Sequence, residues 1–160
     1  PVMGTRTLDA RIDLAHIRPK ADAHERVQKW LQRAGKKCGL PDARIKQITG
    51  VVFEARQGYK SADSKRAEAD LAFGRNADAV NYMPVVAIVS TQASQQILRS
   101  YRNGKMLVLV GNDDTEDVVS TYAFFRNVIG FELDEFFKRN TDVMRKRCVA
   151  VIEKLLSPTG

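Results

Sequence analysis

The sequence predicts a single α/β domain over residues 1–160, with a mixed or mostly parallel sheet flanked by helices and a helical C-terminal part. Two near-continuous apolar runs, at residues 84–89 and 106–110, have the composition of buried central strands. A third apolar stretch, Val51-Val52-Phe53, leads another strand, and segments of helical spacing separate the three. Strands that alternate with helices in this way build a sheet covered by helices. A chain of 160 residues is long enough to bury a core without disulfide or metal staples.

The elements follow in order. In residues 7–17 Leu8, Ala10, Ile12 and Leu14 alternate with Thr7, Asp9, Arg11 and Asp13, the pattern of a half-exposed strand. Residues 21–38 place Val27, Trp30, Leu31 and Ala34 at helical spacing, and Gly39 supplies the stop. Leu40-Pro41-Asp42 starts a new element, and Gly50 punctuates before the apolar strand. Ser61 or Asp63 caps the next helix, which runs to about Tyr82 with a kink or break expected at Gly74. Residues 94–102 form a short helix closed by Asn103-Gly104. From about Asp114 the remainder is helical, interrupted at Gly130 and finishing near Leu156. The acids of Asn112-Asp113-Asp114-Thr115-Glu116-Asp117 favour the start of that helix through its dipole. Its aromatic residues, Phe124, Phe125, Phe131, Phe136 and Phe137, are expected in the core, with any surplus stripe forming a homodimer face.

Composition narrows the class. With 44% hydrophobic and 28% charged residues, the chain is globular in type rather than disordered. It has neither the roughly 20 consecutive apolar residues of a membrane span nor a signal-peptide segment. Cys38 and Cys148 have no metal or redox spacing, which points to a reduced, cytoplasmic setting. Pro1 fits either trimming of an initiator Met or a piece of a longer protein. A net charge of +7 and a pI of about 9.6 point to a polyanionic partner, with DNA the leading expectation.

Chemistry concentrates around the third strand. Alternation sets Val52, Glu54 and Arg56 on one face and Val51, Phe53 and Ala55 on the other. Pro41-Asp42 precedes this strand, and Gln57-Gly58-Tyr59-Lys60 follows it. A Pro-Asp, a short gap, then Glu54-X-Arg56 on a strand and a cationic helix resembles the PD-(D/E)XK nuclease superfamily, most closely its type II restriction endonucleases. The resemblance spans residues 40–110 and implies a restriction-endonuclease-like sheet around the site. It also implies a Mg²⁺-dependent endonuclease acting on DNA, with Asp42 and Glu54 as metal ligands. The metal would polarise the scissile phosphate and lower the pKa of the attacking water.

The chain departs from that pattern at the lysine position, which holds Arg56, a group that stays charged and cannot act as a base. Lys60 shares the strand parity of Glu54 and reaches the site if Gly58 bends the chain; Gln57 or Arg56 itself fills the slot otherwise. Glu68 on the following helix is a further candidate carboxylate. Tyr59, Lys60, Ser61, Ser64, Lys65 and Arg66 form a polar, cationic approach suited to DNA phosphates, or a solvated start to a helix.

Two other readings compete. In the first, the acids are structural and the chain is a basic, non-enzymatic α/β module for DNA binding or assembly. In the second, Asp113 and Asp114 at a strand end form a phosphotransfer or topoisomerase-primase-like site. His16 and His24 lack the spacing of a zinc helix, and no Gly-rich phosphate loop or nucleophile elbow is present.

Overall fold

The computed structural model describes residues 8–17, 22–58 and 64–156. Four strands form one mixed sheet in the order β1-β2-β3-β4: β1 (Ala10–Asp13), β2 (Gly50–Arg56), β3 (Tyr82–Ile88) and β4 (Leu107–Leu109). β1 runs antiparallel to β2, while β2, β3 and β4 run parallel. The expected α/β architecture is present, with helices on both faces.

Helix α1 (Asp22–Lys37) forms where Val27, Trp30, Leu31 and Ala34 recur every three or four residues and become its buried stripe. It stops at Gly39, whose φ of 67° lets the Gly39 N–H reach the Lys36 carbonyl and the Leu40 N–H reach Gly35. A single turn, α2 (Asp42–Ile45), follows. α1 packs on one sheet face, where Trp30 and Phe124 meet Val51, Phe53, Met83, Val85, Leu107 and Leu109. Helices α3 (Ser64–Ala79) and α4 (Gln95–Asn103) cover the other, where Phe73, Ala77, Ile97 and Tyr101 pack on Val52, Val86 and Ile88. The predicted parity of β2 is therefore observed: odd and even positions enter different cores.

Three expectations change. α3 passes through Gly74 without a break, because the glycine admits Met106: a Cβ there would lie 2.5 Å from the Met106 sulfur. The acids after β4 do not start a helix. Val110 instead recovers strand-like pairing, its N–H donating to the Val119 carbonyl at 2.8 Å and its carbonyl accepting the Thr121 N–H at 2.9 Å, so residues 111–119 form a loop. The helix α5 (Thr121–Phe124) begins about two turns later, capped by the Ser120 hydroxyl, and runs on as a π-helical turn to Gly130, where φ is 79°.

The third change concerns the last helix, α6 (Leu133–Leu156). It buries no residue, although its predecessor segment buries Phe124 and Val128. Phe131 and Phe136 are exposed, and the rings of Phe125, Phe131, Phe136 and Phe137 form a surface chain of edge and tilted contacts 5.7–6.5 Å apart. Among the described residues no helix is long and apolar enough to cross a membrane.

Candidate functional site

Along β2 the polar positions sit at the C-terminal half, where the strand leaves the apolar rungs at Val52. Glu54 and Arg56 project from the same face toward α3, as their parity requires. The Arg56 guanidinium lies 2.6 Å from Glu54 Oε1 and 2.6 Å from Asp70 Oδ1 of α3. The Tyr101 hydroxyl of α4 donates to the other Asp70 oxygen at 2.7 Å. These side chains are shielded from water: 16% of Arg56, 6% of Glu54 and none of Asp70 is exposed. Two carboxylates thus face one guanidinium and one phenol, joining β2, α3 and α4 in a single buried network. Short, charge-assisted bonds of this kind are strong because water does not compete for them.

Asp42 is not part of this cluster. It opens α2 and is exposed. Two residues on, Arg44 grips Asp78 Oδ1 at 2.8 Å and Asn81 Oδ1 at 2.7 Å, which fastens α2 at the N-terminal ends of β2 and β3. Asp78 stands eight residues beyond Asp70 on α3, about 12 Å along the helix axis. Glu54 stands four residues beyond Gly50, about 13 Å along β2. The structure therefore corrects the expected meeting of Asp42 and Glu54; the sequence gap between them is taken up by α2 and a turn at the opposite end of the sheet.

Gln57 follows β2 and is exposed, and Lys65 is exposed in the first turn of α3. Tyr59, Lys60 and Ser61 lie outside the described residues, as do the side chains of Ser64 and Arg66. Glu68 faces solvent, and the carboxylate that α3 turns inward is Asp70. Asp113 and Asp114 are exposed; Asp114 accepts the Glu116 N–H at 2.9 Å in a local turn. Asp117 pairs with Arg33 at 2.7 Å and its carbonyl takes the Trp30 indole N–H. His16 lies beside Asp13, which also pairs with Arg11 and accepts the Tyr82 hydroxyl. That bond and burial hold the Tyr82 phenol above its ordinary pKa.

Asp70 and Tyr101 are the residues that sequence reasoning missed. The signal for Asp70 was present: with Phe73 and Ala77 it occupies the i, i+3, i+7 positions of the buried stripe of α3. A carboxylate on such a stripe needs a partner.

Among the described residues the donor set does not suit Mg²⁺. That ion asks for octahedral oxygen ligands at about 2.1 Å, whereas the guanidinium occupies the space between the Glu54 and Asp70 carboxylates and would repel a cation. Among the described residues no group of three or more His, Cys, Asp or Glu could hold a metal ion. Among the described residues the arrangement is a buried salt link joining three elements, in which Glu54 Oε1 and both Asp70 oxygens are engaged. Comparison with protein-family models, with curated proteins and with solved structures gave no match.

Proposed function

We propose that the chain is a non-enzymatic binding module, an α/β platform whose buried acids hold the fold and whose basic C-terminal helix meets an anionic partner. One observation carries this reading. Where the sequence motif calls for a metal-binding acid and an available cation, Glu54 and Asp70 are both committed to Arg56. The +7 net charge supports an anionic partner. So does the placement of Arg145, Lys146 and Arg147, which are exposed on an element with no buried residue and make no ion pair among the described residues.

The test uses immobilised heparin as a generic polyanion and a supercoiled plasmid with Mg²⁺ as nuclease substrate. The expected result is salt-dependent retention that falls for the folded Arg145→Glu, Lys146→Glu, Arg147→Glu variant, with the plasmid left intact. Retention equal to that of the parent would overturn the assignment of α6. Mg²⁺-dependent cleavage lost in a folded Glu54→Gln variant would overturn the module and restore the endonuclease.

A further inference from the structure

We infer that α6 docks a helical segment of another polypeptide, one whose apolar seam is edged by acidic residues. The inference rests on the binding-module reading and names the partner of that same helix. Taken at the seven-residue repeat, Phe137, Thr141, Met144, Cys148, Val151 and Leu155 alternate in steps of four and three and line one side of α6. Met144 is 49% exposed, Val151 57% and Leu155 78%. Thr141, the one hydroxyl in the seam, returns its hydrogen bond to the Phe137 carbonyl at 2.6 Å and makes no demand on a partner. This line is the narrow seam of a two-helix contact, with exposed Val143, Val149 and Leu156 lying outside it. The exposed rings of Phe131 and Phe136 extend it toward the body of the domain.

Charge selects the occupant. The positions that border the seam hold Lys138, Arg145, Arg147 and Lys154, with Asn140 and Ile152 between them. Asp142 and Glu153 fall on the far side of the helix, while Asp134 and Glu135 in the first turn pair with Lys138 at 3.7 Å and 2.8 Å, leaving Arg145, Arg147 and Lys154 as border cations with no ion pair among the described residues. A second copy fits poorly. Antiparallel pairing that sets Phe137 on Leu155 and Met144 on Cys148 brings Arg145 against Arg145 and Arg147 against Arg147. Parallel pairing offers those cations Asn140 and Ile152. Nucleic acid would neutralise the border but leave Met144, Val151 and Leu155 with nothing apolar to bury against. A helix with an apolar seam and glutamate or aspartate borders satisfies both, since border charges set partner choice.

The test employs the full chain and three synthetic three-heptad helical peptides: a leucine seam with glutamate borders, the same seam with lysine borders, and glutamate borders with a serine seam. Fluorescence anisotropy should show the first binding at least about tenfold tighter than either control, with added salt weakening it. A Met144→Asp, Val151→Asp variant, altered only at exposed positions, should lose that binding with an unchanged melting temperature. Equal binding of glutamate- and lysine-bordered peptides would overturn the inference. So would a dimer in sedimentation that the double variant abolishes, or capture by anionic phospholipid vesicles with no peptide bound. Loss of peptide binding alongside intact, α6-dependent heparin retention sinks the helical partner alone; plasmid cleavage sinks the module reading.

Discussion

Arg56 illustrates how one side chain decides what its neighbours can do. Its guanidinium pairs with carboxylates from β2 and α3 and offsets part of their buried charge. Arg56→Met should therefore destabilise the fold by about 3–5 kcal/mol, because it strands two acids away from water. Tyr101→Phe removes a single donor to Asp70 and should cost about 1–3 kcal/mol. Urea denaturation of the two variants checks the order. A larger loss for Tyr101→Phe would place the energetic centre of the network on α4. A second residue-scale expectation concerns Cys38. Burial pushes its thiol up to about 11, with Lys105 opposing weakly. The folded value exceeds that of an unfolded cysteine, about 8.5, so the stability gained from keeping the thiol protonated is full below the unfolded value. It drains away as pH climbs toward the folded one, by up to roughly 1.4 kcal/mol per pH unit. Stability measured from pH 8.5 to 11 should fall, and Cys38→Ala should flatten the slope. At pH 8 a thiol reagent should titrate exposed Cys148 well before Cys38.

At the scale of elements, the helices on the two sheet faces and the projecting helix should answer mutation differently. Phe124 is buried between Trp30 and Phe53, with ring centroids 4.7 Å and 5.4 Å away. Phe124→Ala should cost about 3–5 kcal/mol through the cavity it leaves. Met144→Asp on α6, with no packing to lose, should stay within about 0.5 kcal/mol of the parent. Thermal melts of the two variants make the comparison, and a strong loss for Met144→Asp would mean that α6 packs on the domain. The same contrast explains which elements were legible in the sequence. α1, β2 and β3 follow from periodicity because their neighbours bury the faces that the pattern marks. The loop at 111–119 does not, because the pairing of Val110 with Val119 and Thr121 is made by backbone groups that leave no mark on side-chain pattern. The acids there read equally well as a helix start. For α6 the pattern gives the helix but not its isolation, since an apolar stripe looks the same whether this chain or another covers it. In the candidate site, parity places Glu54 and Arg56 on one face correctly. The Asp42 error comes from reading sequence proximity as spatial proximity across a turn.

At the scale of the whole molecule, these differences predict two classes of stability. The sheet is closed on both faces: Val51, Val85, Val86 and Ile88 are fully buried, and the network at Arg56 ties β2 to α3. Amides of β2 and β3 should thus exchange hydrogen only through opening near the global unfolding free energy. Residues 141–156 are exposed on every side, and an isolated helix of that length is marginal in water. Their amides should exchange orders of magnitude faster, at a free energy close to that of fraying. Adding the glutamate-bordered peptide should slow exchange in residues 137–155 and leave β2 and β3 as they were, since a ligand stabilises only the equilibrium to which its binding is coupled. Uniform slowing across the sheet would instead show that the peptide binds the α/β body. Equal protection of α6 and the sheet without any ligand would mean that a surface of this chain already covers the seam, and the helix would then have no free face to offer.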